Sequence, residues 1–374
     1  MLSQEELQRY ARHLVLPGVR EQGQEKLKSA SVLIVGAGGL GTPAAMYLAA
    51  AGIGTLGIAD DDVVELSNLH RQPLHNTDSV GKRKVDSAQE RLHAINPHVR
   101  AKTYTERLNS KNALGVLSEY DIIVDASDNY PTRYLLSDAC TLLKKLIVHG
   151  SVLGFEGRVY VFNDPAGPCY RCAYPEPPPP ELTQDCSEAG VLGVLPGIIG
   201  TIQAAEVVKL ILGIGQPLVG RVLLLNGLSM EFRELRLNKN PDCPACGTTP
   251  TVTALIDYEQ FCGMKKEMKR NGSISVVELK QALDGGKRIF ILDVREPEEY
   301  RIANLGGYLI PLQDLPERMK ELDPEQDIVV HCHHGNRSAF AVQFLEKAGF
   351  SSVRNLEGGI DEWARTIDSR LQRY

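Results

Sequence analysis

Short apolar runs alternate with amphipathic stretches along the first two thirds of the chain. The apolar runs are typical of buried strands and lie at 31–35, 55–59, 121–125, 146–150, 159–162 and 221–225. Between or before them, stretches with helical period and charged or alanine-rich faces lie at 2–27, 42–51 and 82–95. Alternation of strands and helices predicts a mostly parallel sheet that is covered by helices on both faces.

The same alternation resumes after a charged break at 265–272, which ends in an Asn-Gly turn dipeptide. Apolar runs at 289–293 and 328–331 predict two more buried strands. Helical stretches surround them at 276–283, 339–348 and 360–370. We therefore predict an α/β protein with a Rossmann-like domain over residues 1–250, a linker over 251–271 and a small α/β domain over 272–374.

Composition narrows the class of protein. A net charge of −6 makes a broad basic surface for nucleic acid unexpected. The N-terminus lacks the basic and apolar stretches of a secretory signal. The most apolar stretch, 191–213, contains Pro196, Gln203, Glu206 and Lys209, so we predict a loop and a buried helix rather than a membrane span. We expect a cytoplasmic protein that binds neither nucleic acid nor membrane.

A glycine loop directly follows the first predicted strand and opens a helix. It contains Gly36, Gly38, Gly39 and Gly41. Glycines let backbone amides approach phosphate oxygens, and a helix N-terminus favours their negative charge. Asp60 ends the second strand, where a carboxylate can bind a ribose hydroxyl. These features alone fit NAD, FAD or ATP.

Cationic residues that follow the second strand favour ATP. Arg71 and Lys84 lie close behind Asp60 in the sequence, although they could also be ordinary surface cations. Attack on the α-phosphorus of a triphosphate builds charge on the leaving pyrophosphate, and cations stabilise that charge. Asp128 and Asn129 follow a buried strand and offer a carboxylate for Mg²⁺.

In order and spacing, these motifs resemble those of the MoeB/ThiF adenylyltransferases, the bacterial relatives of ubiquitin-activating enzymes. The likeness covers 2–247 and rests on Arg9, Tyr10, Arg12, the glycine loop, Asp60, Asp62, Ser67, Asn68, Leu69, Arg71, Gln72, Gly81, Lys84, Asp128 and Asn129. It implies ATP- and Mg²⁺-dependent adenylation of the C-terminal glycine of a small ubiquitin-like sulfur-carrier protein ending in Gly-Gly. It assigns Asp60 to the ribose, Arg71 and Lys84 to phosphates, and Asp128 to magnesium. In a homodimer, Arg12 would reach the partner's ATP.

Two CxxC pairs predict a metal site. Their cysteines are Cys169, Cys172, Cys243 and Cys246. Four thiolates at this spacing form a closed tetrahedral Zn²⁺ site, so we expect one structural zinc per chain and no catalysis by it. A redox CxxC or buried free thiols are the alternatives. We interpret Cys140 as a core thiol and Cys262 as a linker thiol.

Cys186 follows a proline-rich stretch, 174–180, that predicts a stiff extended loop. It resembles the cysteine on the crossover loop of the same family. Two interpretations stay open: a covalent or disulfide partner for the activated carboxyl group, or a spectator thiol.

A single cysteine, Cys332, opens a short loop that ends at Arg337. Loop amides and a guanidinium directed at the sulfur would favour the thiolate. This loop, the stretch 292–300 and the stretch 358–363 resemble those of a rhodanese, and the likeness covers 271–374. The six-residue loop is the sulfur-handling form. His333 and His334 depart from the common Arg-Ser, which leaves the sulfur donor open; a metal site with Cys332 is the less favoured interpretation.

A nucleotide-binding domain and a rhodanese-like domain in one chain predict that the first activates a carboxylate and the second delivers sulfur from a persulfide on Cys332. A donor such as a cysteine desulfurase would form that persulfide. Arg337 and Cys186 would assist, and the product is a C-terminal thiocarboxylate. Alternatives are an enzyme that conjugates a ubiquitin-like protein through a Cys186 thioester, an NAD-dependent oxidoreductase with a sulfurtransferase tail, and a regulatory module without activity. The sequence does not determine the carrier, nor whether its sulfur goes to molybdopterin, thiamine, tRNA or an amino acid.

Overall fold

The computed structural model describes residues 1–178, 190–263 and 272–374. The chain divides into two compact units. The described residues up to 263 form the first unit, and 272–374 form the second.

The first unit is built on an eight-stranded sheet. Its strands are β1 (Ser31–Val35), β2 (Thr55–Ala59), β3 (Arg100–Tyr104), β4 (Ile122–Asp125), β5 (Leu146–Leu153), β6 (Glu156–Phe162), β7 (Arg221–Asn226) and β8 (Glu231–Arg236). They lie in the order β3-β2-β1-β4-β5-β6-β7-β8. The first five strands of that order pair in parallel, and β5 to β8 pair antiparallel. The predicted α/β class with a mostly parallel sheet is confirmed.

Helices cover both faces of this sheet. They are α1 (Gln4–Arg9), α2 (Ala11–Leu14), α3 (Arg20–Ser29), α4 (Gly41–Ala51), α5 (Lys84–Ile95), α6 (Ala113–Ser118), α7 (Tyr130–Leu143), α8 (Tyr170–Ala173), α9 (Val194–Leu212) and α10 (Tyr258–Phe261). Short 3₁₀ turns lie at Leu66–Asn68 and Thr77–Ser79. Alternate β1 residues enter opposite cores, because successive side chains of a strand point to opposite faces: Val32 and Ile34 join one core, Leu33 and Val35 the other.

The helical prediction for 2–27 is confirmed, but the region is divided. The structure has three helices there, with a short break at Tyr10 and a longer one between Leu14 and Arg20. Pro17 lies in the break and lacks a backbone N–H, and Arg20 adopts a positive φ of 51°. Both features interrupt a continuous helix.

Helix α9 is the apolar stretch that composition alone could assign to a membrane. Among the described residues it is the one helix long and apolar enough to cross a bilayer. It packs against α4, β5 and β6. Leu195, Ile199 and Val207 are buried in the core of the first unit. The prediction of a buried helix here is therefore confirmed.

The second unit is a five-stranded parallel sheet in the order β11-β10-β12-β13-β9. Its strands are β9 (Ser273–Ile274), β10 (Phe290–Asp293), β11 (Tyr308–Leu309), β12 (Ile328–His331) and β13 (Val353–Leu356). Its helices are α11 (Val276–Asp284), α12 (Pro297–Ile302), α13 (Leu315–Arg318), α14 (Asn336–Lys347) and α15 (Gly359–Thr366), with 3₁₀ turns at Leu312–Asp314 and Met319–Glu321. The central strand β12 leads directly into Cys332.

Candidate active sites

The glycine loop leaves β1 and opens α4, as predicted. Gly36 adopts a φ of +100°, and a Cβ there would lie 2.6 Å from the carbonyl oxygen of Ala126. A Cβ at Gly41 would lie 1.8 Å from the carbonyl oxygen of Gly36. At Gly38, however, the nearest atom to a Cβ would be 3.7 Å away, on Gln72. The protein itself therefore requires glycine at 36 and 41, whereas glycine at 38 leaves space open for a ligand.

Asp60 lies against this loop at the end of β2. One carboxylate oxygen accepts a hydrogen bond from the Ala37 N–H at 2.7 Å, and the other accepts from the Asp62 N–H at 2.9 Å. Burial raises the pKa of Asp60, and the charge of Lys84 opposes that rise. Asp60 thus holds the glycine loop in place. Its carboxylate also lies near the open space at Gly38, where a ligand could bind.

Lys84 is buried at the start of α5 and completes an ionic group with two aspartates. Its Nζ donates to Asp62 Oδ2 at 2.8 Å. Burial works to lower the pKa of Lys84, but the charges of Asp60 and Asp62 outweigh it and raise the pKa; Asp128 acts in the same direction. The structure therefore brings Asp60, Lys84 and Asp128, predicted separately, into one electrostatic neighbourhood.

The residues from Ser67 to Gln72 form a turn beside the glycine loop. Arg71 Nη1 donates to the carbonyl oxygen of Ser67 at 2.9 Å. Asn68 and Gln72 are buried, and Asn68 Oδ1 accepts from the Glu65 N–H at 3.2 Å. The Oε1 of Gln72 has no hydrogen-bond partner within the described ranges. The Gln72 side chain borders the open space through its Nε2, which would lie 3.7 Å from a Cβ at Gly38.

Asp128 and Asn129 follow β4 at its carboxyl end. Asn129 caps α7, where its Oδ1 accepts from the Thr132 N–H at 3.0 Å. Asp128 is exposed and lines a cavity of about 110 Å³. A carboxylate in this position is free to accept a magnesium ion, whereas the side chain of Asn129 already has a structural role.

A buried Asp–His pair, of which His149 lines the same cavity, was missed by sequence reasoning. Asp125 ends β4 and His149 lies beside it on β5, with Asp125 Oδ2 2.7 Å from His149 Nδ1. The only signal in the sequence is one histidine inside the apolar run of β5. The two residues are 24 positions apart, so only the register of the strands reveals the pair.

Two further predicted residues are Arg12 and Cys186, of which the structure describes only Arg12. Arg12 is exposed on α2, close in sequence to the exposed apolar side chains of Val15 and Leu16. Cys186 lies outside the described residues, so the structure gives no geometry for either interpretation of that thiol.

The four CxxC cysteines come together in the first unit. Their ligand atoms all lie within 4.8 Å of one another. The sulfur–sulfur distances are 3.9 Å for Cys169–Cys172, 3.5 Å for Cys169–Cys243 and 3.4 Å for Cys172–Cys246. Four sulfurs at about 2.3 Å from a zinc ion would be about 3.8 Å apart in a tetrahedron. The donor set and its spacing fit zinc, and all four ligand positions would be sulfur.

The remaining buried thiols have simpler surroundings. Cys140 is in the core of the first unit, as predicted. The interpretation of Cys262 as a linker thiol is wrong, because Cys262 is buried in the same core near Tyr258. Helix α10, which ends at Phe261, packs Cys262 against α7 rather than leaving it in an open connector.

The Cys332 loop joins β12 to α14 and surrounds its own sulfur. Cys332 is fully buried, and Sγ accepts from the Gly335 N–H at 3.1 Å and lies 3.4 Å from Ser338 Oγ. From outside, the N–H groups of Ile360 and Asp361 donate to the carbonyl oxygens of Cys332 and His333 at 3.0 and 3.1 Å. Because these two carbonyl oxygens are bound from outside the loop, N–H groups of the loop can point inward at the sulfur.

The Arg337 guanidinium makes a contact that the sequence did not suggest. Its Nη1 and Nη2 donate to the two carboxylate oxygens of Glu299, each at 2.7 Å. Burial would raise the pKa of Glu299, but hydrogen bonds from Arg337 outweigh it and lower the pKa. The expectation that the guanidinium is directed at Cys332 needs correction: its two terminal nitrogens are bound to Glu299, which lies on α12.

His333 and His334 point to different surroundings. His333 is buried, its ring centroid lies 4.4 Å from that of Tyr374, and burial, with the nearby His334, lowers its pKa to about 4. His334 Nδ1 is 4.0 Å from Asp361. Within the part of the chain that the structure describes, no three-residue metal-ligating group includes either histidine or Cys332.

Comparisons with known proteins agree with this architecture. The ThiF family model matches residues 10–245, and the rhodanese-like domain model matches 275–366. A curated relative from Culex quinquefasciatus, named adenylyltransferase and sulfurtransferase MOCS3, is 44% identical over 100% of this chain and 90% of its own length. The probable adenylyltransferase/sulfurtransferase MoeZ of Mycobacterium tuberculosis is 42% identical over 100% and 96%.

Solved structures share the fold of the first unit. Escherichia coli MccB crystallised with ATP has a TM-score of 0.54 at 22% identity, covering 60% of this chain and 68% of that protein. PaaA has a TM-score of 0.55 at 29% identity, covering 64% and 76%. The likeness to MccB shows a common fold only.

Proposed function

The chain belongs to the ThiF family and carries a rhodanese-like domain, and from that premise we propose how its two units share one reaction. It is an adenylyltransferase and a sulfurtransferase, as are the relatives that it matches over its whole length. The observation that supports one joint reaction is the presence of both loops in one chain. One is open beside Gly38 for a nucleotide, and the other encloses the sulfur of Cys332.

The first unit activates a carboxylate with ATP. The substrate that we propose is the C-terminal glycine of a small ubiquitin-like sulfur-carrier protein that ends in Gly-Gly. The glycine loop binds phosphates, and Asp60 binds the ribose. Arg71 and Lys84 bind phosphate oxygens, and Asp128 holds Mg²⁺. The carboxylate attacks the α-phosphorus, which forms an acyl-adenylate and releases pyrophosphate.

The second unit supplies the sulfur. A persulfide on Cys332, loaded by a donor such as a cysteine desulfurase, attacks the acyl carbon through its terminal sulfur, and AMP leaves. The product is an acyl disulfide on Cys332. A second thiol, either Cys186 or an external thiol, then attacks the Cys332 sulfur and forms a disulfide with it. The electron pair of the broken bond stays on the carrier as the thiocarboxylate.

Zinc and a second subunit complete the assembly that we propose. One zinc ion, bound by the four CxxC cysteines, ties the segment after β6 to the segment after β8. None of the seven cysteines in the described ranges forms a disulfide, which supports a reducing cytosol as the location. The exposed Arg12 beside Val15 and Leu16 supports a homodimer in which Arg12 reaches the partner's ATP.

The alternatives receive less support. The relatives above are named for sulfur transfer, which favours that reaction over conjugation through a Cys186 thioester. Those names also count against hydride transfer with NAD and against a module without activity.

Carrier-dependent ATP–pyrophosphate exchange tests the first half of the proposal. Exchange requires both Mg²⁺ and a Gly-Gly carrier, and Asp128→Ala lowers it by at least about 100-fold because the metal loses its carboxylate. Asp86→Ala is the matched control, since Asp86 is a partly exposed carboxylate on α5 that pairs with Arg83. Equal exchange by wild type and Asp128→Ala would remove Asp128 from the mechanism.

A further inference from the structure

His149, one member of the buried Asp125–His149 pair, lines a cavity that a ligand can enter. Each residue is adjacent to the other in the parallel register of β4 and β5, and both are almost fully buried. In open α/β sheets, ligands bind outside the carboxyl ends of the strands. Asp125 ends its strand, and His149 lies opposite it on the wall of the cavity beside Asp128.

Burial and hydrogen bonds indicate the protonation states of Asp125 and His149. Burial works to raise the pKa of Asp125, but His149, the charge of Arg133 and the hydrogen bond from Ser127 outweigh it and lower the pKa. The Ser127 N–H and Oγ donate to Oδ1 at 3.0 and 2.6 Å. Burial lowers the pKa of His149 in spite of Asp125. An ionised carboxylate only accepts, so Nδ1 of the neutral ring carries the proton and Nε2 is an acceptor.

The His149 ring is held rigidly with that acceptor unused. Its centroid lies 5.6, 6.1 and 5.3 Å from the rings of Tyr160, Phe162 and Tyr170. Among the described residues, the one hydrogen bond of the ring is that from Nδ1 to Asp125. Nε2 therefore presents a fixed, neutral acceptor at the cavity wall.

The Arg133 side of the cavity suits an anionic group. Arg133 and Arg158 line the cavity with aromatic side chains, and Asp128 and Glu156 lie on its wall as exposed carboxylates. Arg158 pairs with Glu156 at 3.5 Å, whereas no ion pair within the described ranges involves Arg133. Arg133 donates weakly to the Ser127 carbonyl oxygen at 3.3 Å, and its buried Nε has no partner within the described ranges. A volume of about 110 Å³ admits only a narrow segment. A ligand that carries an N–H donor next to a carboxylate matches these groups.

We propose that Nε2 of His149 accepts a hydrogen bond from the last peptide N–H of the carrier's Gly-Gly tail, with the terminal carboxylate on the Arg133 side of the cavity. This inference rests on the proposed function. A glycine tail has no side chains, so its N–H groups, carbonyls and carboxylate are all that a protein can recognise. Because the only hydrogen-bond donors in such a tail are its N–H groups, an acceptor at His149 selects a tail whose last linkage is an unsubstituted amide.

An ester substitution in the carrier tests this contact without adding bulk. The probe is a semisynthetic Gly-Gly carrier whose last glycine is replaced by glycolic acid, so that an oxygen takes the place of the N–H. In ATP–pyrophosphate exchange, the wild-type enzyme has a KM for the ester carrier that is roughly three- to tenfold above that for the amide carrier, as expected for one lost hydrogen bond. The kcat changes less than twofold.

The variant His149→Asn separates the acceptor from the buried pair. An asparagine amide can still donate to Asp125, near the position of Nδ1, but offers nothing at the position of Nε2. The variant has a raised KM for the amide carrier and no longer distinguishes amide from ester, which is the signature of a direct interaction in a double-mutant cycle. Ser151→Ala, on the same cavity wall, keeps the wild-type amide-to-ester ratio.

Two results would overturn the inference: equal KM values of the wild-type enzyme for both carriers, or full discrimination by His149→Asn. The first comparison uses only wild-type enzyme, so it holds even if the variant fails to fold. If no Gly-Gly carrier supports exchange by the wild-type enzyme, the proposed function fails instead, and the two failures are thereby distinguished.

Discussion

The glycine loop and the Cys332 loop have similar backbone arrangements, but their N–H groups bind different partners. Each leaves a central parallel strand, contains a glycine with φ near +100° (Gly36 at +100°, Gly335 at +99°), and opens a helix. In the first, a loop N–H binds a carboxylate of the neighbouring strand, Asp60, and the space beside Gly38 stays open. In the second, a loop N–H binds the loop's own sulfur.

The two loops differ in the source of the negative charge that they stabilise. Both loops can stabilise negative charge through N–H groups and a helix N-terminus. At the glycine loop the negative charge belongs to the phosphates of a bound nucleotide. At the second loop it belongs to the protein itself, as the thiolate or persulfide of Cys332. The same architecture therefore serves phosphate binding in one unit and nucleophilic sulfur in the other.

A complete loss of adenylation is expected from one of two glycine substitutions in the same loop, because the surroundings of the two glycines differ. Gly41→Ala places a Cβ 1.8 Å from the Gly36 carbonyl oxygen, so we expect the first unit to lose more than about 3 kcal/mol of stability and all exchange activity. Gly38→Ala has no neighbour within 3.7 Å. We expect it to fold normally and to lose ATP affinity at least about tenfold, because its methyl group enters the ligand space.

The corresponding substitution in the second unit is at Gly359, which packs against the Cys332 loop. A Cβ at Gly359 would be 2.4 Å from the His333 carbonyl oxygen. Gly359→Ala should lower sulfur transfer and leave ATP–pyrophosphate exchange unchanged. Melting curves, ATP titration and both activity assays check the three variants, and normal ATP binding by Gly38→Ala would contradict the ligand space that we assign there.

Removal of zinc should affect only the unit that contains the glycine loop. Structural zinc contributes on the order of 10 kcal/mol to folding, so Cys243→Ala should yield insoluble or strongly destabilised protein. Elemental analysis should find one zinc per wild-type chain. Cys262→Ala, a buried cysteine outside the cluster, is the control and should retain zinc. A soluble, fully active and metal-free Cys243→Ala protein would disprove the structural role.

A smaller effect is expected from the carboxylate that holds Arg337. Glu299→Gln removes the charge that fixes the guanidinium through two bonds of 2.7 Å, so sulfur transfer should fall roughly three- to tenfold. Glu298→Gln is the matched control, since Glu298 is exposed and pairs with Arg301. Carrier intact mass measures the product. Faster transfer in Glu299→Gln would mean that Glu299 restrains Arg337 rather than positions it.

The fold was predictable where buried strands produce apolar runs in the sequence. Strands β1 and β4 are apolar because both their faces are covered, and their runs were identified. Strands β3 and β8 were missed, because β3 is only partly buried and every residue of β8 is exposed. Edge strands of this kind carry polar residues and leave no apolar run.

The candidate sites were predictable where they depend on local motifs. The glycine loop, the four cysteines and Cys332 are all visible in short segments, and the structure brings the cysteines together. The Asp125–His149 and Glu299–Arg337 pairs join residues 24 and 38 positions apart. Strand register and helix packing create those contacts, so no spacing rule reveals them.

The most direct test of the division of labour is Cys332→Ala, assayed for both reactions. It should leave carrier-dependent ATP–pyrophosphate exchange near the wild-type rate, because the adenylation residues lie on the other unit. It should abolish thiocarboxylate formation, seen as the mass increase when sulfur replaces one oxygen of the carrier. If Cys332→Ala still forms thiocarboxylate at the normal rate from a desulfurase persulfide, Cys332 is not the sulfur donor and the account is wrong.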